Sequence, residues 1–316
     1  MKIKFLFLIS LFFCNSLFSH ELNPARLYLE ETTTDSFRVL WKYPTNSFQK
    51  GGVIFPESCV ELDKDLRKLE GKYLVDKYFI ECHAGLKGKN IKIKGLSRMI
   101  DALISIDYLD GSSHEGLASI NNSDVFIPIE ENRYPTSYFT LGIEHLLSGI
   151  DHILFVVGLI FLVSGWLTLI KTITAFTLAH SITLGLSVYG IVNLPQSASE
   201  AIIALTLIYM ALEILEGKGY ERTPWLIAFG FGLIHGLGFA GALSEIGFSN
   251  ESILLSLLFF NLGIEAGQLL LIPFIVIFLW LLRKTVIDKK IFKLFSYILG
   301  GIGSFWLIQR LLVIIF

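Results

Sequence analysis

Six long apolar stretches constrain this chain more than anything else in it. They lie near residues 138–165, 168–190, 197–216, 223–244, 251–281 and 291–316. Most reach the ~20 residues that carry a helix across about 30 Å of hydrocarbon. The first and fifth are longer, which predicts tilt, a break or a protruding end. Charge divides the chain at the same place. Residues 134–316 hold 19 Asp, Glu, Lys and Arg in 183 positions, whereas residues 20–133 hold 33 in 114. The sequence therefore expects two solvents, lipid and water, and excludes a purely soluble enzyme. A net charge of −2, with no basic patch interleaved with aromatics, excludes nucleic acid as a partner.

The start of the chain reads as an export signal over residues 1–19. Lys2 and Lys4 precede the apolar run Phe5–Phe13, and Ser19 is a small residue for cleavage. Residues 20–133 then form the exported domain. Alternating apolar and polar residues at 36–43, 90–94 and 102–108 predict half-buried strands, with Asp110-Gly111 as a hairpin turn. The expectation is a small all-β, sandwich-like unit. Cys59 and Cys82 are an even pair in an exported segment and predict a disulfide. No nucleophile motif, acid pair or phosphate loop occurs there, so its expected job is structural, or binding an extracytoplasmic partner of unknown kind. Its histidines, His20, His83 and His114, read as surface or packing residues.

Loop charge sets the expected topology. With an exported amino-terminal domain, loops one, three and five are inside. They carry Lys171; Lys218 and Arg222; and Arg283, Lys284, Lys289, Lys290 and Lys293. The outside loops, around residues 193–196 and 247–251, carry no Lys or Arg. This positive-inside pattern predicts six helices spanning the cytoplasmic membrane, both termini outside.

Ionisable residues within lipid are costly and by default functional. The first stretch contains Glu144, His145, Asp151 and His152, the second His180, the third Glu200 and Glu213, the fourth His235, and the fifth Asn261, Glu265 and Gln268. A single intramembrane histidine reads more readily as a helix–helix hydrogen-bond partner. Four histidines with acids on several spans favour a metal or proton site. Imidazole with carboxylate suits nickel, cobalt or zinc rather than calcium or magnesium. His145 and His152 lie seven residues apart, about 10.5 Å along a straight helix, too far to share one ion. Either Gly149 marks a break that brings them together, or the histidines are successive stations on a path. Inferred depths favour stations: His180, His235 and Glu265 near mid-membrane, Asp151 and His152 in the outer half. Glu144, Glu213, Asn261, Glu265 and Gln268 are the candidates for proton coupling or a polar pathway.

Four segments together resemble the HupE/UreJ family, in its longer form with an exported domain: TLGIEHLLSGIDHILF (140–155), TAFTLAHSITL (174–184), AFGFGLIHGLGFA (228–240) and FNLGIEAGQL (260–269). The resemblance implies nickel or cobalt uptake for hydrogenase and urease. The family's His-x5-Asp-His element falls on His145, Asp151 and His152, and its His-Gly element on His235 and Gly236. In the short hydrogenase-linked members the fourth span carries two histidines. Here Phe239 or a neighbour takes the second place.

The leading expectation is a secondary permease for a divalent transition metal, since no Gly-x4-Gly-Lys-Ser/Thr loop is present to use ATP. The alternatives are an intramembrane zinc hydrolase, with His152, His180 and His235 as ligands and Asp151 or Glu265 as base, and a membrane-anchored binding or sensor protein. A permease should spread its polar groups over several depths. A hydrolase should gather them in one dry cluster.

Overall fold

The computed structural model describes residues 24–45, 51–62, 67–97, 100–129, 136–217, 223–246, 253–283 and 288–315. The export signal expected at residues 1–19, and His20, lie outside the described residues. The fold is an amino-terminal β region followed by a helical part.

Among the described residues the β region has ten strands: β1 (Ala25–Thr33), β2 (Ser36–Pro44), β3 (Gly52–Ile54), β4 (Cys59–Leu62), β5 (Lys68–Glu70), β6 (Tyr73–Cys82), β7 (Asn90–Lys94), β8 (Ala102–Asp107), β9 (Ser113–Ala118) and β10 (Asp124–Phe126). The larger sheet runs β4-β6-β2-β1-β8-β9, with β5 also on β6, and the smaller runs β10-β7-β3. β1 pairs antiparallel with β2 but parallel with β8, where Ala25 faces Ala102. The two sheets bury one core, to which Leu27, Val39, Trp41, Ile80, Ile104 and Ile106 come from the larger sheet and Ile91, Ile93 and Val125 from the smaller. Cys59 stands opposite Cys82 across β4 and β6, and their sulfurs are bonded.

The expected strands at 36–43, 90–94 and 102–108 match β2, β7 and β8, and the β8–β9 hairpin turns through Gly111 at φ +80°. β7 alternates strictly between exposed and buried positions, as a strand with one wet face should. β8 does not, because both its faces are covered. Ile104 and Ile106 point into the core between the sheets. Leu103 joins Tyr73 and Val75 in a second apolar cluster with Tyr138, Leu141, Leu146, Leu184, Leu257, Phe260 and Ile264 of the helical part. The β region is thus seated on the helices by the outer face of its larger sheet.

Among the described residues seven helices follow: α1 (Thr136–Ser148), α2 (Ile150–Leu162), α3 (Trp166–Val188), α4 (Gln196–Glu216), α5 (Pro224–Ile246), α6 (Ile253–Arg283) and α7 (Asp288–Ile315). Among the described residues four segments, 166–188, 196–216, 253–281 and 293–315, are long and apolar enough to cross a membrane. There are five if α1 and α2, bent by 74° at their junction, count as one span. Over Pro224–Gly238, α5 is a shorter apolar helix. The first apolar stretch is therefore broken, while the fifth is one 31-residue helix with Pro273 inside it.

Glycines allow the closest helix pairings. A Cβ on Gly142 of α1 would run into the carbonyl of Phe260, and one on Gly263 of α6 into that of Phe139. The α3–α5 pair closes likewise, with Gly232 against Phe176 and Gly236 against His180 and Thr183. Small residues let backbones approach where lipid supplies no hydrophobic drive.

Candidate metal centre

Gly149 is where the first apolar stretch turns. It sits at φ −74°, ψ 98°, outside the helical region, so α1 ends and α2 begins on either side of it. A Cβ there would lie 2.8 Å from His152 Nδ1, 3.0 Å from the His145 carbonyl oxygen and 3.1 Å from Asp151 Oδ1. Only glycine fits so close an approach. The turn draws His145 and His152 together, ring centroids 4.8 Å apart, in place of the ~10.5 Å of a straight helix. Of the two arrangements that the seven-residue spacing allowed, the structure has the break and not the successive stations. The reason is local backbone geometry.

Close packing of α3 and α5 supplies the other rings. His180 lies 6.3 Å from His145 and 6.1 Å from His152, and His235 lies 5.3 Å from His152, centroid to centroid. Nitrogens of His145, His152 and His180 all fall within 4.8 Å of one another. All four histidines are buried. Phe155, Phe176 and Phe260 wall the cluster, with Phe176 5.2 Å from His235 and Phe260 5.4 Å from His145.

The hydrogen bonds fix which nitrogen each ring presents. Asn261 donates through Nδ2 to the Leu257 carbonyl at 2.7 Å, so its Oδ1 is the atom facing His180 Nδ1 at 3.1 Å. That nitrogen must donate. His235 Nδ1 faces the Phe231 carbonyl at 2.9 Å and must donate as well. His152 Nδ1 lies 3.3 Å from Asp151 Oδ1. In each neutral ring the lone pair is then left on Nε2, and Nε2 of His152, His180 and His235 is buried with no hydrogen-bond partner among the described residues. A ring whose Nδ1–H is held by an oxygen while Nε2 stays bare is prepared as a metal ligand. His145, His152 and His180 bring nitrogens close enough to share one ion, with His235 beside His152 and Asp151 adjacent, a nitrogen-rich site suited to a first-row transition ion.

The polar residues of α6 are placed less uniformly. Asn261 belongs to the cluster through His180. Glu265 accepts from Thr174 Oγ1 at 2.6 Å, and buried Gln268 accepts from Thr177 Oγ1 at 3.1 Å, so the α3–α6 contact carries polar pairs beyond the histidines. Glu144 turns the other way, its carboxyl lying beside that of Asp101 of the β region. Glu213 is half-buried near the end of α4, with no described contact to the histidines. Glu200 pairs with Arg310 at 2.5 Å. Sequence reasoning missed Thr174 and Thr177, although they share a helix face three residues apart. It also missed Asp101, which no local pattern marks.

This is a multi-pass membrane protein carrying a buried cluster of histidines among its helices. Residues 121–310 match the family described as HupE / UreJ protein, and the chain belongs to that family. The match covers the whole histidine cluster and leaves most of the β region outside it, as the longer form requires. No curated protein and no solved structure matches the chain.

Proposed function

We propose that the chain is a secondary permease for a divalent transition metal, nickel or cobalt, and that the histidine cluster is its central, transient binding site. The carrying observation is the set of three bare Nε2 atoms, on rings whose Nδ1–H groups are fixed by Asp151, Asn261 and the Phe231 carbonyl. Family membership supports transport, since HupE/UreJ proteins are linked to nickel and cobalt movement. So do the polar pairs beside the cluster, Glu265 with Thr174 and Gln268 with Thr177, which give a leaving ion or proton somewhere to go. In this reading six spans cross the inner membrane with both termini outside, in line with the loop charges. Two charges moving down 100 mV gain about 4.6 kcal/mol, at ~2.3 per charge. That is enough to drive accumulation without ATP.

One observation favours a second reading. Histidines gathered in a single dry cluster are what an intramembrane zinc hydrolase needs, with three ligands, an open position for water and Asp151 beside them as base. Purified protein in detergent separates the readings in two stages. Bound nickel, cobalt and zinc are measured for the native chain and for His152→Ala and His235→Ala. The native chain should hold one ion and each variant should lose it. The loaded protein in liposomes should then pass nickel inward when an inside-negative potential is imposed. Ion held tightly with no flux would overturn the permease and leave the hydrolase.

A further inference from the structure

The histidine centre is closed on one side by phenylalanines from three helices. Gly232 of α5 packs on the Phe176 carbonyl of α3 and Gly236 on that of His180, so these two helices run side by side in the same direction. α2 runs against them: its His152 lies 6.1 Å from His180, and its Phe155, one turn on, lies 4.5 Å from Phe176. Phe176 precedes His180 by four residues, Phe231 precedes His235 by four, and Phe155 follows His152 by three. Helical spacing therefore puts all three rings about one turn from the histidines, toward the same end of the bundle. Phe176 touches three of the four imidazoles, 5.2 Å from His235 and 6.2 Å from both His152 and His180. Phe155 lies 5.6 Å from His235 and 6.0 Å from Phe231. One turn further, the same helices bring Leu159, Ile173 and Ala228 into one buried apolar cluster. This is the end that the loop charges assign to the inside.

We propose that Phe155, Phe176 and Phe231 are the inner gate of the permease, a dry floor that must part before an ion can leave the histidines toward the cytoplasm. The inference rests on the permease reading for what crosses the floor, but not for the closure itself. A divalent ion finds no ligand among three phenyl rings, and an apolar constriction of this kind holds back water until it widens. The pairs Thr177–Gln268 and Thr174–Glu265 lie at the level of the floor and beyond it, on the contact between α3 and α6, so an ion that has passed meets oxygens again. Phe231 is the ring that moves. Phe155 and Phe176 are fully buried, whereas Phe231 is half-buried, with Phe155 and the exposed Tyr209 of α4 as its ring neighbours. Its ring can turn while its carbonyl keeps hold of His235 Nδ1.

The test needs no metal. Full-length protein carrying Cys14→Ser and His180→Cys has one free thiol, placed in the centre, because Cys59 and Cys82 are joined to each other. Membrane vesicles of each orientation are treated with a charged, membrane-impermeant methanethiosulfonate, and the labelling rate is read from each face. Adding Phe231→Ala should speed labelling from the inside at least tenfold and leave the outside rate as it was. Phe231→Leu, which keeps the core better filled, should give a smaller rise from the same face. Phe260→Ala, on the α1–α6 wall beside His145, should give no inside rise. No acceleration in either Phe231 variant, an equal rise from both faces, or a like rise in Phe260→Ala would overturn the gate. Protein that labels as expected yet passes no nickel in liposomes would overturn the permease alone, and the floor would stand as a barrier.

Discussion

At the scale of single residues the centre depends on oxygens that hold Nδ1 as much as on the imidazoles. Asn261 shows this best, because its own amide is oriented by the Leu257 carbonyl before it meets His180. Replacing it by leucine removes the acceptor while keeping the volume. Asn261→Leu should weaken nickel binding about 10- to 100-fold, by equilibrium dialysis, with the helical circular dichroism unchanged. Gly149→Ala should be more severe for the site than for the fold. The added methyl would stand 2.8 Å from His152 Nδ1, so the ring must move. Binding should fall at least as far as in Asn261→Leu, while the protein still extracts as a monodisperse particle. The four histidines, Asp151 and Asn261 were all legible as polar residues in apolar runs, because lipid makes each of them conspicuous. Their common meeting point was not, since it depends on one glycine's dihedral angles and on how tightly two glycine-lined helix pairs close.

At the scale of elements the helical pairings and the strand pairings have separate safeguards. Gly142 and Gly263 meet opposing backbones across α1 and α6. A valine at either position forces the helices apart. Gly263→Val should therefore lower both nickel binding and thermal stability, which distinguishes it from Asn261→Leu. In the β region the Cys59–Cys82 bond closes a loop of 23 residues between β4 and β6. Chain entropy assigns such a loop about 3 kcal/mol of stability. A Cys59→Ser/Cys82→Ser protein should lose roughly that amount in the denaturation of its β region, leaving metal binding by the helices intact. Alternation announced β2 and β7 because each has one wet face. β8 kept the alternation of its sequence but not of its burial, as the helices cover its second face. No pattern within the strand could reveal that partner.

At the scale of the molecule, acids on the seam make docking sensitive to pH. Burial and the neighbouring Glu144 carboxyl push Asp101 up to about 8, and burial pushes Glu115 to about 7 against the pull of nearby Arg26, with Asp107 reinforcing the rise. Tyr138 of α1 also faces this group. A carboxyl whose value is raised when docked holds more protons in that state than when released. Docking is therefore firmest below the ordinary carboxyl range near 4. It weakens as pH rises toward 7 to 8, and is level beyond. Hydrogen exchange over residues 141–153 should accordingly be slower at pH 5.5 than at pH 8, after correction for intrinsic rates. Asp101→Asn should flatten part of that difference.

Apolar length, charge distribution and loop bias were enough to divide this chain into a β region and a membrane part, and to mark the residues that carry chemistry. They act through solvent, and a solvent preference is written locally in each segment. Convergence is a different kind of property. A straight first span would have left His145 and His152 about 10.5 Å apart, and nothing in residue identity alone decides whether a glycine there bends a helix by 74° or merely packs. The seating of the β region over Glu144 is likewise written in neither part, because Asp101 and Glu144 acquire their meaning only from each other. Tertiary structure decided both, since each depends on distances between segments that the chain keeps far apart.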